Sequence, residues 1–232
     1  MSFRKCEVRP PQGHARCDLP EYPRGATSRK NLIRILSPSA MIVAMQIIGE
    51  YYHIYNRGAH RAPIFHDKSD YERFIGLLYI ANGTKPIKYG WNDSALWQDR
   101  SDDKIVEIFA YCLMPNHFHI GAKETKEGGI NKFIRKLITG YTMYYNFKYK
   151  HSGTIFQGNY KYKHVDNDPY LRYLIRYIHL NPYGLEEEAL NDFARLDQLK
   201  EAIEYSKGYE YSSYKDYLGI KRPQNLIIET ID

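Results

Sequence analysis

Cysteine is scarce in this chain of 232 residues: Cys6, Cys17 and Cys112 are too few and too scattered for a disulfide framework or a four-thiolate zinc site. Long apolar runs are missing as well. No stretch approaches the length of a membrane span, and the first thirty residues lack the apolar core of a signal peptide, which predicts a cytoplasmic protein. Acidic residues are nearly absent between Asn131 and Arg176, where Asp166 and Asp168 stand against nine basic side chains (Lys132, Arg135, Lys136, Lys148, Lys150, Lys161, Lys163, Arg172, Arg176). Eight tyrosines are interleaved in the same window. The chain does have an apolar content of 43%, enough for one folded domain with extensions. Its net charge of +6 and pI near 9.0 suit a polyanionic partner. Cations that neutralise phosphates, mixed with rings on which bases stack, make a single-strand binding surface. The same composition also fits a solvated basic helix whose tyrosines are core.

Residues 1 to 44 carry Pro10, Pro11, Pro20, Pro23 and Pro38 without periodicity and read as an irregular extension. Met41 and Met45 stand just before the first patterned segment, so this leader is open to explanation by an upstream start. Glu50 to Arg57 alternates and reads as a strand. Asp70 to Ala81 has helical spacing, with Asp67 or Ser69 as N-cap. Asn82 to Asp103 reads as a long loop, with room for a short hairpin. Ile105 to Met114 and His117 to Lys123 are expected to be antiparallel strands joined at Pro115-Asn116. Ile130 to Tyr149 repeats apolar residues at three and four and predicts a helix. Phe156 to Val165 is expected to supply a fourth strand, Asp168-Pro169 to cap and open a further helix, and 197–205 to form another. The acidic run Glu186-Glu187-Glu188 separates those last two, and the tail from Tyr209 is expected to pack back by its rings. The order strand, helix, strand, strand, helix, strand is the split βαβ pattern. It predicts an α+β, ferredoxin-like antiparallel four-stranded sheet with helices on one face and an added C-terminal helix.

Chemistry concentrates at two places. Alternate side chains of a strand share a face, so His117 and His119 project together while Phe118 and Ile120 point away. Two imidazoles on one sheet face can hold a divalent ion and leave open positions for water or a phosphate oxygen. An isolated His-x-His is more often a chance pair on a solvated strand. On the helix opened by Pro169, Leu171, Leu174, Ile175 and Ile178 share an apolar face, and His179 falls on the flank nearly opposite the stripe of Tyr170, Tyr177 and Asn181. Tyr170, Tyr177 and Asn181 share a stripe beside the apolar face, with Tyr177 and Asn181 one turn apart. If this helix lies on the histidine face, Tyr177 offers a phenolic oxygen to a phosphate, and Asn181 offers a carbonyl oxygen as a third metal ligand. Arg176 and Lys163 are candidates to stabilise the phenolate. On spacing alone Tyr177 reads first as an amphipathic tyrosine at a helix-sheet seam, and Tyr141, Tyr144 and Tyr145 are rival nucleophiles.

Five blocks carry a resemblance: Tyr52-His53-Ile54-Tyr55-Asn56-Arg57-Gly58, Met114-Pro115-Asn116-His117-Phe118-His119, Gly153-Thr154-Ile155-Phe156-Gln157-Gly158-Asn159-Tyr160-Lys161, Arg176-Tyr177-Ile178-His179-Leu180-Asn181-Pro182 and Tyr211-Ser212-Ser213-Tyr214. In that order the chain resembles the REP-associated tyrosine transposases, within the single-strand HUH tyrosine transposases of bacterial insertion sequences. The resemblance runs from about residue 50 to 218. It implies a ferredoxin-like core, a metal site at His117 and His119, and Tyr177 as the catalytic tyrosine. It further implies cleavage and rejoining of single-stranded or hairpin DNA through a covalent 5′-phosphotyrosine, with magnesium or manganese, by a monomer or homodimer. Related transposases often carry glutamine four residues after the tyrosine, where this chain has Asn181, one methylene shorter. On this basis residues 45–185 form the catalytic domain, 1–44 an N-terminal extension and 186–232 a helical or irregular C-terminal extension. Arg57, Lys132, Arg135, Lys161 and Lys163 are the candidate DNA contacts. Two other readings stand beside this one: a non-catalytic, domesticated DNA-binding protein, and a replication-initiator or relaxase-like nuclease of different layout.

Overall fold

The computed structural model describes residues 46–87, 97, 103–184 and 196–231. The leader, most of the 82–103 loop and the acidic run 186–188 lie outside these residues. Four strands form one sheet: β1 (Tyr51–Arg57), β2 (Val106–Met114), β3 (His117–Glu124) and β4 (Lys161–Val165). Their order is β2-β3-β1-β4, every neighbouring pair antiparallel. With helix α1 (Lys68–Ala81) before β2 and α2 (Gly129–Tyr149) before β4, this is the split βαβ connectivity expected from the periodicities.

The local chemistry accounts for the boundaries. Asp67 caps α1 and closes a capping box with Asp70. No side chain caps α2 from Gly128. Instead the buried Glu124 carboxylate accepts from Gly129 N and Ile130 N, both at 2.8 Å, and holds the helix start against the end of β3. The fourth strand is shorter than its pattern predicts. Phe156 makes a single bridge to Gly58, and Gly158, at φ +68°, turns the chain before pairing with β1 resumes at Lys161. The next helix, α3 (Asp168–Leu180), is capped by Asn167, whose side chain accepts from Tyr170 N; Asp168 and Pro169 occupy its first turn.

Each face of the sheet buries a different set of helices. Tyr52, Ile54, Phe118 and Ile120 pack against Phe74, Leu77, Phe133 and Leu137 of α1 and α2. The opposite face, with Ala110, Cys112 and Val165, is covered by Leu171, Leu174 and Ile178 of α3. A further helix, α4 (Leu196–Lys207), follows. The tail beyond it then runs along the outer edge of β2: Leu113 N donates to Tyr211 O at 2.9 Å, Ser213 N to Tyr111 O at 3.0 Å and Glu229 N to Ile108 O at 2.7 Å. It thus covers a sheet edge that would otherwise present unpaired backbone groups. The tyrosine-rich tail packs by its rings as expected, Tyr211 stacking on Tyr71 at 3.8 Å. Among the described residues no helix is long and apolar enough to cross a membrane.

Candidate active site

The face under α3 collects the odd-numbered residues of β1 and β3, because β1 and β3 pair with Tyr55 opposite His119 and Arg57 opposite His117. His117 and His119 therefore share this face, both buried, their ring centroids 5.0 Å apart. Tyr177, on the sheet-facing side of α3, is buried with them. Its ring meets His119 edge-on, centroids 5.5 Å apart at 82°. Asn181 begins a 3-10 turn (Asn181–Tyr183) at the end of α3, and its Oδ1 lies 3.3 Å from His117 Nε2. The shorter side chain thus reaches the pair.

The rival tyrosines lie elsewhere. Tyr141 donates to Ile64 O, Tyr144 to Asp70 Oδ1 at 3.0 Å, and Tyr145 pairs with His66 at 2.9 Å, all on the side of the sheet that α1 and α2 cover. Of the candidate DNA contacts, Arg57, Lys161 and Lys163 stand on the histidine face, by their register opposite His117, Tyr55 and His53. Arg57 and Lys161 line an open cleft of about 500 Å³, solvent space included, together with Tyr55, Gln157, His117 and His119. Arg57 donates to Gln157 Oε1. Lys163 Nζ sits 4.9 Å over the Tyr170 ring. Lys132 and Arg135 are exposed on α2, across the sheet from the histidines. Arg176 is exposed on α3.

His53 escapes the sequence patterns as a site residue. Its Nε2 lies 2.8 Å from His119 Nδ1, and its ring stacks on His119 with centroids 5.0 Å apart. The signal was the alternation of β1, which puts His53 on a face with Tyr55 and Arg57. It became readable only once β1 was known to pair with β3. His179, expected on the flank opposite Tyr177, is buried under the tail, its Nε2 2.8 Å from Ser213 Oγ.

Burial dominates the electrostatics. It lowers His117 to about 4, with the Arg57 charge adding and the Asn181 contact opposing. It lowers His53 to about 3, helped by Lys163, and holds His119 well below the ordinary histidine range. All three rings are therefore neutral near neutral pH, the form that ligates metals. The protein environment suits a cation in a second respect. Asn116 donates its Nδ2 to Arg61 O at 3.3 Å, which leaves Oδ1 facing His117 Nδ1 at 2.6 Å as an acceptor. The Nε2 of His117 is then a lone pair aimed at the carbonyl oxygen of Asn181, and among the described residues the buried His119 Nε2 has no hydrogen-bond partner. Unprotonated imidazole nitrogens and an amide oxygen are donors of the kind a divalent cation accepts. Among the described residues no three His, Cys, Asp or Glu side chains gather as a metal site; the set here is two imidazoles and an amide.

Fold and site together define a ferredoxin-like sheet protein with paired histidines facing a helix-borne tyrosine. The chain belongs to the IS200-like transposases: the family model described as "Transposase IS200 like" matches residues 47–181, from the approach to β1 through Asn181. Among solved structures, that of a REP-associated tyrosine transposase bound to a REP hairpin is similar, with 14% identity and a TM-score of 0.49, over 77% of this chain and 86% of that one. No curated protein matches the chain.

Proposed function

We propose that this protein cleaves and rejoins single-stranded DNA through a covalent 5′-phosphotyrosine on Tyr177, with a divalent metal held by His117, His119 and Asn181. The observation that carries the reading is the meeting, within one chain, of two distant segments: Tyr177 against His119, and Asn181 against His117. The oxygen of Tyr177 forms a bond to the scissile phosphorus while the bond to the 3′ oxygen breaks; the phenol gives up a proton and the departing 3′ oxygen takes one up. His117, His119 and Asn181 would hold the magnesium or manganese ion, which would supply charge withdrawal from the phosphate. The ester on Tyr177 conserves the bond energy, so rejoining needs no ATP.

The side chains around the cleft divide the remaining work. The three ligands are formally neutral, so the DNA phosphate supplies the negative charge the cation requires. Arg57 and Lys161, lining the cleft, neutralise flanking phosphates, and Tyr55 offers a ring to an adjacent base. Lys163 extends this track along the edge strand. Lys132 and Arg135, on the far side of the sheet, are left for DNA that passes around it.

Protein incubated with manganese and a hairpin-bearing oligonucleotide is expected to form an SDS-resistant adduct that Tyr177→Phe abolishes. Persistence of the adduct in that variant would move the nucleophile to another tyrosine. Salt-sensitive, chelator-insensitive binding with no cleavage under any divalent metal would make the protein a DNA-binding module instead.

A further inference from the structure

The reaction proposed for Tyr177 gives His53 no part, yet this imidazole is fully buried at the centre of the histidine face. Its Nε2 and His119 Nδ1, 2.8 Å apart, are joined by one proton, which belongs to one ring or the other. If His53 donates, His119 carries its own proton on Nε2 and has no lone pair to give a metal. If His119 donates, its Nε2 is a bare lone pair. The two atoms at the far ends of this pair, His53 Nδ1 and His119 Nε2, have no hydrogen-bond partner among the described residues. A cation at His119 Nε2 removes one of these two vacancies, and only the second arrangement admits it. That arrangement leaves an unpaired N–H on His53, a cost that a side chain serving packing alone would not carry.

The ring of His53 is also held from swinging. Tyr55 stacks on it at 4.9 Å and 27°, and Tyr177 meets it edge-on at 6.0 Å and 79°. Asn116 stands in the same relation to His117 Nδ1, so both histidines of the pair have an acceptor behind them. Resting on the metal role proposed for His117 and His119, we infer that His53 is a positioning residue: it accepts the Nδ1 proton of His119 and keeps the Nε2 lone pair of that ring turned to the cation.

Two substitutions of similar volume separate acceptor from shape. Glutamine places its oxygen close to where Nε2 stood; methionine fills the space without an acceptor. Manganese affinity is read by electron paramagnetic resonance on the full chain, the His119 tautomer by nitrogen NMR without metal, and folding by thermal melting. His53→Met is expected to weaken manganese binding about 10–100-fold and to move the His119 proton to Nε2, whereas His53→Gln keeps the proton on Nδ1 and binds within a few-fold of the parent. Wild-type affinity in His53→Met, or equal weakening in both variants, overturns the assignment. Should His53→Met not fold, a His119 proton on Nε2 in either the parent or a tightly binding His53→Gln overturns it too. His119→Ala distinguishes the two levels of the argument. If that variant binds manganese like the parent, the metal site itself is wrong; if it does not, while His53→Met does, only the role of His53 falls.

Discussion

Gly121 shows how closely the histidine face is built. It follows His119 by two residues on β3, and a Cβ there would lie 2.3 Å from Cε2 of Phe109, whose ring also packs edge-on against Tyr51 at 5.7 Å. Phe109 is buried and has little freedom to withdraw. Gly121→Ala is therefore expected to cost about 1–3 kcal/mol of stability, measured as a shift in urea midpoint; a neutral outcome would mean that the β2 bulge next to Phe109 yields more easily than its packing implies. At this scale the proposed site was only partly legible. His117 and His119 declare themselves because they lie two apart on one strand, and Tyr177 and Asn181 because they lie four apart on one helix. His53 and Asn116 do not, since their part comes from contacts across strands or at a turn that no local period records. The basic candidates divide for a similar reason: Lys161 and Lys163 alternate onto the histidine face, while Lys132 and Arg135 follow the outer side of an α2 whose apolar stripe turns to the other face.

Among the elements, α3 depends on the tail that follows it. Ser213 Oγ accepts from Tyr111 N at 2.8 Å on β2 and meets His179 Nε2 at 2.8 Å on α3, and His179 is flanked by the rings of Tyr214 and Tyr217 at 5.3 and 4.8 Å. One hydroxyl thus ties the edge strand to the helix that carries Tyr177. Ser213→Ala strands a buried N–H and a buried ring nitrogen, and is expected to lower stability by about 1–3 kcal/mol. Hydrogen exchange should show the faster opening confined to the end of α3 and the tail; uniform loosening would mean that Ser213 supports the core generally. The elements themselves were readable, because the periods change from two to three and four and back in the order that a split βαβ fold demands. Their terminal turns were less so. Gly158 cuts the fourth strand short, and the tail has no alternation to announce that it borders β2, its register being fixed by Ser213 and Tyr211 rather than by an apolar pattern.

For the whole molecule the number of buried neutral imidazoles decides its response to acid. His53, His117, His119 and His179 are all buried. Burial lowers His53 and His179 to about 3 and His117 to about 4, with Arg57 and Lys163 adding to the effect on their own neighbours and Arg222 on His179, while His119 lies well below its ordinary value. In the unfolded chain the same rings take up protons from about pH 6.5 downward. The unfolded state then binds more protons than the folded one, so stability rises with pH across this interval. It is fully present above about pH 6.5 and is lost as the pH falls toward the folded-state values, at about 1.4 kcal/mol per pH unit for each ring. Asp70 acts in a lower window. Burial pushes its carboxyl up, but Lys148, His66 N, Tyr149 and Tyr144 together draw it below the usual range, so its contribution is present above about pH 4 and is lost only beneath it. Urea midpoints measured in chelator are accordingly expected to fall steadily from about pH 7 to 5, before the carboxylates titrate. His179→Phe removes one of these rings at a point where it meets the tail rather than the histidine pair. Whatever it costs near neutral pH, its stability should decline less steeply with acid, by about one ring's share. A midpoint that stays level over the same interval in the parent would mean that the folded protein tolerates charged imidazoles on this face, and the neutral ligand set proposed there would have to be abandoned.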